Sequence, residues 1–234
     1  DLDALLAVAT RGIVVIEDCA HALGASSNGR PVGSIAPVAY FSTDHTKMIS
    51  TVIGGMVTAR DAELGERIRE IQRRSIPPSA AQARRIARTF LAEFLLLDPR
   101  LARVGSRLFG AGARMGQWCF YADELETTRP VRYPYPGRLS QFQARLGISQ
   151  LAHLGENLAA RRRAAAIYAD ALEGDGLESA CATRSVEHSW LRYTWLVDDR
   201  AAWERWFSDL VGLAVRFTSV AHGRNRDLGE VGYV

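Results

Sequence analysis

A single lysine, Lys47, stands among the 29 basic residues of this 234-residue chain, and the other 28 are arginine. An arginine guanidinium stays protonated and cannot form a Schiff base, whereas the ε-amino group of a lysine can. A chain that carries its other basic charges on arginine and keeps one amine therefore raises the question of what that amine does. Composition alone leaves chance as the alternative.

Asp18, Ser42 and Lys47 each lie at or just beyond the end of an apolar run typical of a β-strand. Ligands of open α/β sheets bind at the carboxyl ends of the strands, so one pocket can collect all three side chains. A carboxylate, a hydroxyl and a single amine are the groups that pyridoxal phosphate requires: the amine links to it covalently, the carboxylate keeps its ring nitrogen protonated, and the hydroxyl helps to hold its phosphate.

Apolar runs predict three strands of an α/β sheet that positions these side chains. The first run is β-branched and bounded by glycine and acidic residues, which predicts a buried parallel strand. A loop rich in Gly, Ser, Asn and Pro follows from Gly24 to Gly33, and Asp61 is expected to cap a charged helix that ends at about Arg74. Residues Asp3 to Thr10 indicate the end of another helix. The predicted strands are Ile13–Ile16, Val38–Ser42 and Met56–Ala59.

The remainder of the chain is predicted to be mainly helical. From Ser75 to Trp118, segments rich in Arg, Ala and Leu and broken by Pro and Gly predict inserted helices. A long helix is expected from about Leu139 to Leu172, interrupted near Gly155. The tail predicts a small α+β domain with a helix at Ala201–Leu210 between two strands, Trp190–Val197 and Leu213–Val220.

These runs resemble the DegT/StrS-type sugar aminotransferases. The resemblance extends from the first residue to near the last, except for roughly Ser75 to Tyr133. It implies an aspartate-aminotransferase-like (fold-type I) architecture: a mainly parallel sheet in a large cofactor-binding domain, a small C-terminal α+β domain, and a homodimer with its site at the subunit interface. The runs that carry it are Val15–His21, the glycines Gly24 and Gly33, Phe41–Ser42 with Thr46–Lys47, Gly54–Val57, Leu139–Ala144 and Gln150–Leu151.

The resemblance implies a role for each candidate residue, with pyridoxal 5'-phosphate as the cofactor. Lys47 would be the Schiff-base lysine and the proton shuttle, Asp18 the partner of the pyridine nitrogen, and Ser42 a phosphate ligand. His21 would lie beside the ring. The implied reaction is amino transfer to a keto carbon of a nucleotide-linked deoxysugar from an amino acid such as glutamate, for polysaccharide or natural-product biosynthesis. The implied division is residues 1–74 for the second part of the large domain, 75–135 for the inserted helices, 136–174 for the connecting helix and 175–234 for the small domain.

Each candidate residue also has a structural interpretation, and other functions remain open. Asp18 suits a turn or a helix cap, and Ser42 suits an ordinary loop. A related branch of the family performs dehydration with histidine in place of the lysine; His45 is nearby, but Lys47 precedes Met48 directly, which favours amino transfer. A non-catalytic scaffold that keeps the fold is the alternative from another class.

The chain departs from the family pattern at several places. A Gly-Glu-Gly-Gly element is here Val52–Gly55, and the Asn-x-Arg segment that contacts the partner's phosphate is Pro136–Arg138. The resemblance begins in the middle of the large domain and stops before the closing helix of the small one. We therefore expect this chain to be part of a longer protein.

Composition bounds the partners. The formal net charge is +3 with dispersed arginines, which favours a small-molecule substrate over nucleic acid. Three isolated cysteines without metal-ligand spacing indicate reduced thiols and no metal site. No apolar span reaches about 20 residues, so no transmembrane segment is expected. No secretory signal is recognised, and a cytoplasmic location is expected. The segment Arg84–Leu95 is basic and amphipathic, so packing against protein is expected there, with membrane-surface contact as the alternative.

Overall fold

The computed structural model describes residues 2–9, 12–98, 100–118, 137–173, 186–194 and 197–207. Helices and strands mix along the chain, which confirms the α/β class. In chain order the elements are α1 (Leu2–Ala9), β1 (Ile16–Asp18), β2 (Ser26–Ser27), β3 (Arg30–Pro31), β4 (Val38–Ser42), β5 (Gly55–Ala59), α2 (Ala62–Arg74), α3 (Ala80–Leu96), α4 (Ala102–Arg114), α5 (Gln141–Ala152), α6 (Leu154–Glu173), β6 (Val186–Glu187) and α7 (Arg200–Phe207).

The sheet that carries the candidate residues has the strand order β1-β4-β5. β1 and β4 are parallel, with Asp18 opposite Tyr40, whereas β4 and β5 are antiparallel. The predicted mainly parallel sheet is thus parallel only between β1 and β4 among the described strands. β4 and β5 appear within two residues of their predicted bounds, and β4 buries Ala39 and Phe41 in the core with Cys19.

The predicted strand at Ile13–Ile16 is wrong in position and in burial. Pairing with β4 begins only at Ile16, and Ile13 and Val14 have exposed fractions of 53% and 74%. The reason lies in the segment before β4. The amides of Ile35 and Ala36 donate to the Glu17 carboxylate, and Pro37 has no N–H to donate, so this segment cannot continue the ladder.

The loop predicted from Gly24 to Gly33 contains a short hairpin. β2 and β3 are antiparallel and are joined by Asn28 and Gly29, whose φ angles of 49° and 73° suit a tight turn with two left-handed residues. β6 adds to β2 on its other side. Asn-Gly is a known hairpin signal, so the sequence contained the information that predicts this turn.

The helices follow the sequence closely. Asp61 caps α2 as predicted, its carboxylate accepting from the Leu64 amide. The inserted helices are α3 and α4, and the predicted long helix is α5 and α6 with its break at His153, two residues before Gly155. No helix within the described ranges is long and apolar enough to cross a membrane.

Contacts divide the chain into two compact units, and α7 is the described helix of the second. The Asp199 carboxylate accepts from the Ala202 amide at 2.9 Å and so begins α7, close to the predicted helix. The predicted strand at Trp190–Val197 is wrong for its described residues, which are irregular. Leu213–Val220 lies outside the described residues. The division of the chain into four predicted segments stays a prediction.

Candidate active site

Asp18 ends β1 and is held by two hydrogen bonds. Its Oδ1 accepts from the Ala20 amide at 3.0 Å, and the Tyr40 hydroxyl from the neighbouring strand also bonds to it. The Ala20 amide is the main cause that lowers the pKa of Asp18, with Tyr40 and the charges of His21 and Lys47 acting in the same direction against burial. Asp18 is therefore held as a carboxylate, with Lys47 and His21 nearby.

Lys47 lies in the loop that joins β4 to β5, here called the lysine loop (residues 43–54). Backbone hydrogen bonds close the base of this loop, from the Thr43 amide to Gly54 O at 2.9 Å and from the Thr51 amide to Thr43 O at 2.8 Å. The hydroxyls of Thr43 and Thr51, both buried, are 2.6 Å apart. The Lys47 amide donates to Asp44 O at 3.0 Å, so the lysine ends a tight turn.

Asp44 organises that turn. Its Oδ1 accepts from both the amide and the hydroxyl of Thr46 at 2.6 Å. Burial raises the pKa of Asp44, but the Thr46 hydrogen bonds and the charges of His45 and Lys47 outweigh it, so the pKa is lowered overall. A second carboxylate thus lies near the amine.

The other two predicted residues lie close to this region. Ser42 ends β4, and its Oγ accepts from the Asp44 amide at 3.4 Å. His21 follows β1, and its carbonyl accepts from the Ser189 hydroxyl at 3.4 Å. The structure therefore brings Asp18, His21 and Lys47 within electrostatic reach and places Ser42 at the start of the lysine loop.

A cavity of about 910 Å³ is bounded by β4, β5, α2 and the segment before α5. Ser42 lines this cavity together with Gly55 and Arg138, whereas Asp18, His21 and Lys47 do not. The cavity therefore does not mark the position of the amine, and the chemistry of the site is better located by the side chains.

Two residues of the site were missed from sequence. Tyr40 contacts Asp18 because the two strands are in register, and no local pattern reveals that pairing. Glu93 on α3 is half-buried, and burial followed by the charge of Asp44 raises its pKa to about 7. Its signal was present, because Glu93 is the one acidic residue in the apolar run from Phe90 to Leu97.

The first inserted helix, α3, packs on the lysine loop. Ile86 of α3 is buried against Val52 and Ile53, with Phe90 beside them. Arg85 and Arg88 donate to backbone carbonyls at residues 116–118, which joins α3 to the segment after α4. Of the arginines in the basic segment Arg84–Leu95, Arg85 and Arg88 are therefore engaged within the protein.

Comparison with known proteins identifies the family. The model of the DegT/DnrJ/EryC1/StrS aminotransferase family matches residues 1–212. The chain belongs to this family. The resemblance inferred from the sequence is confirmed, and the match also includes the 75–133 segment that showed no resemblance.

Individual family members are similar over part of their own length. The L-glutamine:2-deoxy-scyllo-inosose aminotransferase of Streptoalloteichus tenebrarius is 33% identical over 181 residues, 76% of this chain and 34% of the relative. GDP-perosamine synthase of Caulobacter vibrioides is 27% identical over 172 residues, 72% of this chain and 33% of the relative. The solved structure of the sugar aminotransferase CalS13 from Micromonospora echinospora has a TM-score of 0.56 and 26% identity, covering 89% of this chain and 48% of that one. The chain spans a third to a half of their length.

Proposed function

We propose that this chain carries the lysine-bearing part of a pyridoxal-phosphate-dependent aminotransferase that acts on a keto group of a nucleotide-linked deoxysugar with an amino-acid donor. One observation supports it most: the single lysine of a member of this family lies at the carboxyl end of the sheet, near a carboxylate held in its ionised form. GDP-perosamine synthase, whose name carries a nucleotide, is among the relatives.

The residues present fit the cofactor. When bound, pyridoxal phosphate supplies an electron sink that stabilises negative charge on the carbon that bears the transferred nitrogen. The ionised Asp18 suits a protonated ring nitrogen, and Tyr40 and the Ala20 amide fix the direction of its carboxylate. Ser42 accepts one hydrogen bond through Oγ, and a serine hydroxyl that accepts one can still donate one to a phosphate oxygen.

Lys47 has two tasks in this proposal. Its Nζ holds the cofactor covalently, and as a free amine it takes and returns a proton at Nζ. His21 lies near Asp18, and its imidazole, when protonated, lowers the pKa of that carboxyl. Overall the keto sugar gains one nitrogen and loses one oxygen, while the amino-acid donor becomes a 2-oxo acid, so atoms and electrons balance without a further oxidant.

Three experiments follow in sequence. Pyridoxal phosphate is added to the purified chain, the absorbance spectrum is recorded, and borohydride then fixes any covalent link for mass spectrometry of the Lys47 peptide. Lys47→Arg is the matched control because it keeps the charge and removes the amine chemistry. A new band and a label on Lys47 are expected in the native chain alone. No label on Lys47 would refute the proposal and leave the scaffold alternative ahead.

The substrate is tested by product mass. A nucleotide-linked keto-deoxysugar and 2-deoxy-scyllo-inosose are each incubated with glutamate or glutamine. The second ketone is a specific rival because the relative named for it is 33% identical over 76% of this chain. An amino product from the nucleotide-linked sugar supports the proposal, and an amino product from the cyclitol alone favours the rival. Loss of water without gain of nitrogen would indicate dehydration, which the aminotransferase names of the family and this relative do not favour.

The homodimer and the cytoplasmic location stay predictions. In this proposal the dimer partner completes the site, as the resemblance implies. Sedimentation of the purified chain with and without pyridoxal phosphate measures the association state directly.

A further inference from the structure

Three amide side chains form a row along α5 and α6, here called the amide row: Gln143, Gln150 and Asn157. Gln143 and Gln150 are seven residues apart on α5, almost two helical turns, so they fall on the same face of that helix. Asn157 lies on α6, beyond the break at His153. All three bond to the backbone of the lysine loop in reverse chain order, so that the loop lies antiparallel to the helices.

Gln143 holds the end of the loop. It is fully buried, and its Nε2 donates to Thr51 O at 3.0 Å and to Ile53 O at 2.6 Å. Its Oε1 accepts from the Ser140 amide at 2.9 Å, which fixes the side chain as part of the capping box of α5. Both polar atoms of this side-chain amide thus bond to the backbone, the oxygen at the start of α5 and the nitrogen in the lysine loop.

Gln150 and Asn157 hold the part of the loop that directly follows Lys47. Gln150 bonds both backbone polar groups of Ser50, accepting from its amide at 2.9 Å and donating to its carbonyl at 2.6 Å. Asn157 Nδ2 donates to Met48 O at 3.1 Å, and its Oδ1 accepts from Arg161 Nε at 2.9 Å. Asn157 therefore contacts the residue next to the lysine with a side chain that is itself fixed.

We propose that Gln150 and Asn157 are positioning residues that set the location of the Lys47 amine, with Gln143 anchoring the far end of the loop. The inference deepens the proposed function, on which it rests for the role of the amine. The backbone on the amino side of Lys47 is fixed by Asp44 O, and the backbone on its carboxyl side is fixed by Asn157 and by the buried side chains of Met48 and Ile49. A reaction slows roughly a hundredfold when a reacting group is displaced by about 1 Å, so fixing this backbone affects the rate of the chemistry at the Lys47 amine.

The lone lysine makes this proposal directly measurable. Reductive methylation with ¹³C-formaldehyde places two labelled methyl groups on Lys47 and on the N-terminal amine only, and Lys47→Arg identifies the Lys47 signal in an NMR spectrum. The variants are Gln150→Leu and Asn157→Leu, which keep side-chain size and remove the hydrogen bonds. Gln141→Leu is the matched control, because Gln141 is an exposed amide at the start of the same helix.

The expected result is a displaced Lys47 signal. In Gln150→Leu and Asn157→Leu the signal moves toward the position of free dimethyl-lysine and sharpens, while in Gln141→Leu it stays at the native position. Circular dichroism verifies that each variant is folded, and Asn157→Leu carries the test if Gln150→Leu does not fold. An unmoved Lys47 signal in the folded variants would overturn the proposal.

A second measurement separates this inference from the proposed function. Unmethylated chains are mixed with pyridoxal phosphate, and the rate of the covalent link to Lys47 is followed by borohydride quenching. A drop of about tenfold or more is expected in Gln150→Leu and Asn157→Leu. If the native chain takes no cofactor while the NMR signal still moves, the proposed function fails and the positioning role stands. If native chain and variants link equally fast, the positioning role fails and the proposed function stands.

Discussion

Replacing Glu17 by glutamine tests how β1 holds the segment that leads into β4. Glu17 is 4% exposed, and its carboxylate accepts from three backbone amides: Gly33 at 2.8 Å, Ile35 at 2.8 Å and Ala36 at 2.6 Å. Glu17→Gln keeps one oxygen for Ile35 and Ala36 and turns an N–H₂ group toward the Gly33 amide. One donor then faces another donor in a buried position.

The magnitude follows from the lost contact. A hydrogen bond to a charged group contributes about 1.5 to 3 kcal/mol, and a buried donor left unpaired costs about 1 to 3 kcal/mol. These overlap, so we expect a loss of about 3 kcal/mol in the free energy of unfolding. With a urea m-value of about 2 kcal/mol per molar, the unfolding midpoint falls by about 1.5 M.

The assay is urea unfolding followed by circular dichroism, together with amide hydrogen exchange of residues 33–36. An increase of roughly a hundredfold in exchange at Gly33, Ile35 and Ala36 accompanies the loss of stability if opening of this segment governs exchange. Glu63→Gln is the control, because Glu63 pairs with the exposed Arg67 on the exposed face of α2, and no measurable change is expected. A Glu17→Gln midpoint equal to that of the control would refute the reasoning.

Three further predictions concern single side chains. Burial and then the charge of Asp44 raise the pKa of Glu93 to about 7, so the folded state keeps this proton to higher pH than the unfolded chain does. The free energy of unfolding therefore falls as the pH rises from about 4.5 to 7. Urea unfolding at both ends of that range should show a smaller fall in Glu93→Gln. Gly33→Ala places a Cβ into the Phe41 ring at a φ of +91°, so a loss of about 1 to 3 kcal/mol is expected in thermal unfolding, and an unchanged midpoint contradicts it. Ser79→Ala removes the capping box of α3 and should cost about 1 kcal/mol, measured by urea unfolding; a neutral result would mean that tertiary packing alone fixes that helix end.

Features with local causes could be predicted from the sequence. The cap at Asp61, the strand Val38–Ser42 and the break between α5 and α6 all follow from residue types within a few positions. The same holds for Lys47, whose single occurrence is visible without any structure. The Asn28–Gly29 turn has an equally local signal, so the sequence also predicts this hairpin.

The features that could not be predicted depend on partners distant in sequence. Strand propensity at Ile13–Ile16 carries no information about Glu17, which binds the amides that a longer strand would need. Likewise, the charge of Asp44 acts on Glu93 across 49 positions of chain, and the Tyr40 bond to Asp18 depends on strand register. Such couplings become visible only when the elements are packed.

The amide row also determines when the lysine loop can become ordered as the protein is made. Its hydrogen bonds join residues separated by 92, 100 and 109 positions. A ribosome adds about 5 to 20 residues per second, so Asn157 follows Met48 by roughly 5 to 20 s. Until then the Met48 carbonyl lacks this donor, and closing so long a loop slows folding. We therefore expect the nascent chain to leave the Lys47 amine in an unfixed segment until the helix that holds it has been synthesised.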